Sequence, residues 1–123
     1  MKPEELMIGD WVYNIHHQRN IRVTAYDFFC HGHREDGSQF ITSMCQRSLG
    51  RDLKPIPLNA KILGENGLLD DRHSEYWVSY DAHDEEWYFN CSMAFVDMRV
   101  AVSTVHELQH ALRLCGIEKE IVL

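Results

Sequence analysis

The chain has 123 residues, of which 45% are hydrophobic and 25% charged, values that are typical of one globular domain and give no reason to expect a disordered chain. Its 12 lysines and arginines stand against 19 aspartates and glutamates, a formal charge of −7 that disfavours binding to nucleic-acid phosphates near neutral pH. Eight histidines weaken that exclusion below about pH 6, because their full protonation would change the formal charge to +1.

The N-terminal part predicts a small antiparallel β unit over about residues 6–46. Alternation of apolar and polar residues indicates strands at 10–15 and 21–26, joined by a polar loop at 16–20. The predicted apolar faces are Trp11, Tyr13 and Ile15 on the first strand and Ile21, Val23 and Ala25 on the second. This order of short strands after a Gly-Asp pair is similar to the opening of a small SH3-like barrel.

A second hairpin is predicted around Asp36-Gly37, a turn dipeptide between an apolar stretch ending near Phe29 and a strand at 39–45. The intervening segment Cys30-His31-Gly32-His33 has the residue types of a metal site. Ligands this close in sequence need partners from elsewhere to complete a four-coordinate site, and no second cluster is evident. We therefore expect this segment to form a polar turn.

A connector is predicted over about residues 47–58, where two prolines disfavour regular strand pairing. A short helix is predicted over about 59–66. Asn59 is its expected N-cap, and Gly64 and Gly67 are expected to end it.

The second half, about residues 74–116, predicts a three-stranded antiparallel meander with a C-terminal helix packed on it. The strands are indicated at 76–81, 86–91 and 96–102. The helix is expected to begin at Ser103 or Thr104 and to end before Gly116. Its apolar stripe comprises Val105, Leu108, Leu112 and Cys115. These elements together predict a single α+β domain over residues 1–123.

The most specific chemical pattern is an HExxH match at residues 106–110 on the predicted C-terminal helix. Residues i and i+4 share a helix face, so His106 and His110 could bind one Zn²⁺ while Glu107 activates its bound water as a general base. On this basis the alternative function is a zinc-dependent hydrolase of metallopeptidase type.

The zinc motif is incomplete in its extended form, because Arg113 and Gly116 stand where that form has glycine and histidine. An upstream residue would have to supply the third ligand. The residues available for that role are His73, His83 and Asp97. A chain with eight histidines also produces an HExxH match easily by chance.

A structural interpretation accounts for the same helix. Residues 104–107 read T-x-x-E, a capping box in which Glu107 reaches back to the amide of the N-cap residue Thr104. His106, His110 and Arg113 would then form a solvated face opposite the apolar stripe. We favour this interpretation, with no catalytic residue and no metal ligand, over the zinc site.

Cysteine usage and the N-terminus favour a cytoplasmic protein. The cysteines at positions 30, 45, 91 and 115 contain no CxxC pair and are interpreted as buried thiols. The first ten residues lack the apolar core of a signal peptide, and no segment approaches the roughly 20 apolar residues that cross a bilayer. No membrane partner is expected.

Three segments carry a resemblance to a known family: Lys2–Val12 (KPEELMIGDWV), Pro55–Leu63 (PIPLNAKIL) and Val105–Leu112 (VHELQHAL). They resemble a family of small uncharacterised proteins encoded in gut-bacterial genomes and their phages or mobile elements. That family usually reads K-P-x-E-L-x-I-G-N-x-V, then P-I-P-L-T, then V-H-x-L-Q-N. The matches occur in the same order and span most of the chain.

The departures from the family pattern concern the zinc hypothesis. Where the family usually has asparagine this chain has His110, and where it often has glutamine this chain has Glu107. The resemblance thus implies that the helix exists without a metal-binding pair. Asn59 replaces the usual threonine, which is a chemically equivalent N-cap.

The leading functional hypothesis is a non-enzymatic, phage- or mobile-element-associated binding protein whose partner is another protein. It depends on the lack of convergent catalytic residues and on many aromatic residues in predicted strands, although core packing explains any single one of them more often. Those aromatic residues are Trp11, Tyr76, Trp77, Tyr80, Trp87 and Tyr88. No cofactor is expected, Zn²⁺ belonging to the hydrolase alternative alone. The one modest basic cluster, Arg47, Arg51 and Lys54, is too small for a nucleic-acid face.

Overall fold

Eight strands and two helices make up the part of the chain that the computed structural model describes, namely residues 5–15, 17–24, 29–33, 39–44, 53–69, 75–93 and 96–123. The strands are β1 (Trp11–Asn14), β2 (Arg19–Arg22), β3 (Phe29–His33), β4 (Gln39–Met44), β5 (Leu53–Lys54), β6 (Tyr76–Asp81), β7 (Glu86–Met93) and β8 (Val96–Val102). The helices are α1 (Ala60–Glu65) and α2 (Val105–Leu114). The antiparallel sheets and two helices confirm the predicted α+β class.

Two compact units divide the chain, Met1–Pro55 and Ile56–Leu123, with the boundary inside the predicted proline connector. The first contains β1 to β5, and the second contains the helices and β6 to β8. The single-domain arrangement stays a prediction.

The first unit contains a three-stranded sheet in the order β2-β1-β5. The predicted hairpin is confirmed, although β2 begins earlier than expected and its loop is correspondingly shorter. The predicted connector is corrected at its start: Leu53 and Lys54 pair with β1, and regular pairing stops before the first proline. A small core of this unit comprises Leu6, Val12, Val23 and Leu53, with Ile21 packed against it.

The buried face of β1 is the opposite of the predicted one. Val12 is fully buried and lies across from Ile21, whereas Trp11 and Tyr13 are half-buried and Ile15 is exposed. The guanidinium of Arg22 covers the Trp11 ring at 4.9 Å from its centroid, a cation–π contact that suits a partly exposed aromatic side chain. Both faces of β1 carry apolar residues, so alternation could not tell which face is covered.

The second predicted hairpin is confirmed as the antiparallel pair β3-β4, with an irregular register between Cys30 and His31. The turn expected for residues 30–33 is wrong, because Cys30–His33 continue the strand and pair with β4. The turn at Asp36-Gly37 lies outside the described residues. Within the described part of the chain, β3-β4 and β2-β1-β5 are separate sheets and close no SH3-like barrel.

The second unit contains the predicted meander in the order β6-β7-β8. Val78, Phe89 and Val100 lie opposite one another across the three strands, and the first two are fully buried. On the other face, Asn90 donates a hydrogen bond to the Ser79 hydroxyl at 3.0 Å, and Arg99 stacks over Tyr88 at 4.0 Å. One apolar and one polar face follow from the period-two pattern, so the prediction is confirmed.

Both helices end in the same hydrogen-bonded cap. At α2, Gly116 has φ +72°, its amide donates to the Arg113 carbonyl at 3.0 Å, and the Ile117 amide donates to the Leu112 carbonyl at 2.9 Å. At α1, Gly67 has φ +67° and occupies the equivalent position. These are Schellman motifs, in which glycine tolerates the left-handed backbone. Gly67 and Gly116 are therefore confirmed as helix stops, whereas the expectation for Gly64 is wrong because the helix continues through it to Glu65.

Asn66 joins the end of α1 to the C-terminal segment. Its side-chain amide donates to the Val122 carbonyl at 3.0 Å and accepts from the Val122 amide at 2.8 Å, and the side chain is buried. The neighbouring Ile121 is only 1% exposed. The last residues are thus packed in the second unit by a contact that local sequence patterns do not reveal.

Candidate functional site

The two histidines of the HExxH match occupy different environments on α2. His106 is 4% exposed, and its Nδ1 lies 3.2 Å from the Thr104 hydroxyl, whereas His110 is half-buried. Their rings meet edge to face with centroids 5.7 Å apart. The expectation that both histidines are solvated is wrong for His106. Next to this position, the chain at Ile56–Leu58 hydrogen-bonds to Ser103 and Val105 at the start of the helix.

Apolar packing of α2 is confirmed, but the buried arc is wider than the predicted stripe. The buried residues are Val105, His106, Leu108, Gln109, Ala111 and Leu112. Cys115, the last member of the predicted stripe, is half-buried at the C-cap. Arg113 is exposed, as expected.

Glu107 occupies the capping position that the T-x-x-E pattern predicts. Its backbone amide donates to the Thr104 hydroxyl at 3.3 Å, and its carboxylate accepts the Ser103 amide at 2.9 Å. The carboxylate therefore reaches one residue further back than the expected Thr104 amide. The carboxylate lies at the N-terminal end of α2, where a negative charge stabilises the helix.

The described residues supply no third ligand for the alternative zinc pair, His106 and His110. No group of three His, Cys, Asp or Glu side chains within the described ranges is arranged to hold a metal ion, and that search includes His83 and Asp97. His73 lies outside the described residues. Because Glu107 acts in the helix cap, the geometry assigns it a structural role.

A groove of about 410 Å³ lies between the edge strand β8 and α2, and we name it the β8–α2 groove. It is lined by Met98, Val100, Ala101, Val102, Glu107, His110, Ala111 and Leu114. Leu114 is 78% exposed and Val100 is 38% exposed. Large apolar side chains that reach solvent together mark interaction sites more often than isolated ones do.

An acidic cavity of about 160 Å³ adjoins the groove and shares Ala101, Val102 and Glu107 with it. It is lined by Glu85, Glu86, Trp87, Ala101, Val102, Ser103 and Glu107. None of these lining residues is basic, and three are glutamates. The site therefore combines an apolar surface with a negatively charged end.

Sequence reasoning identified the residues of this site in other roles. The sequence assigns Glu107 and His110 to the alternative zinc site, and it assigns Val100 to a strand. Leu114 has a sequence signal for exposure, because it is a large apolar residue that lies off the predicted stripe of α2.

The basic cluster of Arg47, Arg51 and Lys54 is only partly described: Lys54 lies in β5, and the two arginines fall outside the described residues.

Comparisons with protein-family models, curated proteins and solved structures found no match to this chain. Among the described residues, the helices are too short and too polar to cross a membrane. The interpretation of the site depends on its own geometry.

Proposed function

We propose that this chain is a non-enzymatic interaction protein that binds an extended, basic segment of another protein in the β8–α2 groove. The observation that carries the proposal is the continuity of exposed apolar residues with three glutamates at one end of the same surface. The family resemblance adds a phage or mobile element as the proposed genetic source, and cysteine usage adds the cytoplasm as the proposed compartment.

The position of β8 supports an extended ligand. In the described sheet β8 pairs with β7 on one side and is the last strand, and residues of β8 also line the groove. An extended peptide can add to such an edge through main-chain hydrogen bonds, while its alternate side chains enter a neighbouring pocket. Helix α2 forms one wall, with Leu114 and Ala111 available to the inward-facing side chains.

The charge of the acidic cavity supports a basic ligand. Glu85, Glu86 and Glu107 would face lysine or arginine side chains of a bound segment, and the chain as a whole carries a formal charge of −7. Charge complementarity of this kind increases association rates and selects against acidic partners. Glu107 retains acceptor capacity beyond its cap, since a carboxylate has two oxygens with about four lone-pair sites.

A matched pair of peptides tests the charge and the apolar contact together. One seven-residue peptide, equal in length to β8, alternates leucine and lysine, and the other replaces every lysine with glutamate. We expect the lysine peptide to bind with a dissociation constant of about 10–100 μM by fluorescence anisotropy, and more weakly as salt is added. Equal binding of both peptides, or no binding of the lysine peptide, would contradict the proposal.

A further inference from the structure

Three sulfur atoms from separate elements of the second unit meet at one place. Cys91 on β7 and Met98 on β8 are directly paired across the sheet. Cys115, the C-cap residue of α2, has its Sγ 3.1 Å from the Met98 Sδ. Cys91 is 1% exposed, and Cys115 and Met98 are half-buried. Two thiols and a thioether thus converge at the edge of an apolar core.

The position of each sulfur atom is set by backbone structure that the chain forms for other reasons. Directly opposed residues of an antiparallel pair have side chains on the same face with Cβ atoms about 4.5–5.5 Å apart, which brings Met98 beside Cys91. Cys115 is held by its amide, which donates to the Ala111 carbonyl at 3.2 Å, and by the Schellman motif at Gly116. The three side chains are therefore brought together without a metal.

The surroundings of Cys115 favour the protonated form of its thiol. Burial is the main cause that raises the pKa of the Cys115 thiol to about 11, and a hydrogen bond with the neighbouring Cys91 thiol and the charge of that thiol contribute the rest. A thiol that stays neutral resists oxidation, because the thiolate is the reactive form. A thiophilic metal ion can replace the proton of such a thiol, because cysteine binds metals as the thiolate.

We propose that Cys91, Met98 and Cys115 form a three-coordinate sulfur site for Cu⁺. Soft thiolate and thioether ligands select Cu⁺, whereas Zn²⁺ sites use four ligands drawn from thiolate, imidazole and carboxylate. Binding exchanges the two thiol protons for one Cu⁺ and releases both protons to solvent, so the bis-thiolate complex carries one negative charge. The thioether of Met98 is neutral and gives up no proton. The pairing of two anionic ligands with one neutral ligand keeps the added charge small at a half-buried position.

Anaerobic titration of the full-length chain with Cu⁺, in competition with a chromogenic Cu⁺ chelator, tests the site. Cys30→Ser/Cys45→Ser is the background, since it removes the other two cysteines. We expect one equivalent of Cu⁺, a thiolate-to-copper charge-transfer band in the ultraviolet and two protons released per copper. Cys91→Ser or Cys115→Ser should weaken binding by at least about 100-fold and Met98→Leu by about 10-fold, since even outer-shell changes cost about 10–100-fold. Met7→Leu, a change at an exposed methionine, should leave binding unchanged.

A second readout needs no variant and so does not depend on variant folding. Cu⁺ should protect the half-buried Cys115 of the unsubstituted chain from alkylation by N-ethylmaleimide, as measured on proteolytic peptides by mass spectrometry. Copper uptake that survives Cys91→Ser, equal affinity for Zn²⁺ with the same dependence on the variants, or alkylation unaffected by Cu⁺ would each overturn the copper site. In those cases the three sulfur atoms are packing groups only.

Discussion

Asp81 stabilises the turn between β6 and β7 through its side chain. Its Oδ1 accepts the His83 amide at 2.9 Å and the Asp84 amide at 3.2 Å, and Arg99 lies 3.5 Å from its Oδ2. The backbone amides of Asp84 and His83 hold the pKa of this carboxyl below its ordinary value, and Arg99 adds to the effect. The turn therefore depends on the ionised form of one residue.

The pH dependence of this contribution has a definite sign. Because the pKa of Asp81 is lower in the folded chain than in the unfolded chain, its stabilisation is complete above the unfolded value of 3.8. It is lost as the pH falls through the folded pKa. Asp81→Asn should lower the free energy of unfolding at pH 7, measured by urea denaturation, and the deficit should shrink as the pH falls below 3.8. A deficit that is constant with pH, or equal to that of the exposed control Asp97→Asn, would contradict this assignment.

Substitution of a glycine by alanine should have opposite effects inside α1 and just after its C-terminal end. Gly64 lies inside the helix, and a Cβ added there meets nothing within 4 Å, so Gly64→Ala should stabilise the fold by about 0.4–1 kcal/mol. Gly67 has φ +67°, and Gly67→Ala should destabilise it by about 1–2 kcal/mol, because left-handed backbone is strained for alanine. Urea denaturation measures both. A loss of stability in Gly64→Ala would show that α1 does not continue through residue 64.

At the scale of the element, two substitutions of Glu107 test whether its carboxylate stabilises α2 as a helix cap. Glutamine keeps an oxygen that can accept a hydrogen bond from the Ser103 amide. Glu107→Gln should therefore lower the free energy of unfolding by at most about 1 kcal/mol, because only the interaction of the negative charge with the helix dipole is lost. Glu107→Ala removes the acceptor and should cost about 1 kcal/mol more. Thermal denaturation compares the two variants. Equal losses from both would show that the capping oxygen contributes nothing.

The elements that sequence alone predicts are those whose signals are local. The meander follows from period-two alternation over residues 76–102, and both helix ends follow from glycine at the position that needs a positive φ. Asn59 and Thr104 are confirmed as N-caps because the capping side chain and the amide it accepts are three residues apart. In each case the partners lie close along the chain.

The elements that were mispredicted depend on contacts distant in sequence. Val12 is buried because it packs with Val23 and Leu53, and the segment 30–33 is a strand because β4 pairs with it. The β8–α2 groove also requires two elements to meet. Composition and periodicity do not show which distant segments contact each other. The sequence therefore identifies individual residues of the site but not that they lie together.

At the scale of the whole molecule, the net charge and the apolar surface of the β8–α2 groove both restrict the chemistry of the proposed partner. The formal charge of −7 counts against nucleic acid, and three glutamates at one end of the groove place part of that charge beside an apolar surface. A basic peptide would bind weakly to any acidic protein, so affinity alone does not locate the site. The site is located by a substitution that removes an apolar contact and leaves the charge unchanged.

The most direct measurement compares Leu114→Gln with the control Ile8→Gln, which changes a similarly exposed apolar residue of the first unit. Binding of the leucine–lysine peptide should weaken about tenfold in Leu114→Gln, because burying a leucine side chain contributes roughly 1.5–3 kcal/mol and a factor of ten is about 1.4 kcal/mol. Ile8→Gln should leave the dissociation constant unchanged. Equal affinities for both variants and the unsubstituted chain would contradict binding in the β8–α2 groove.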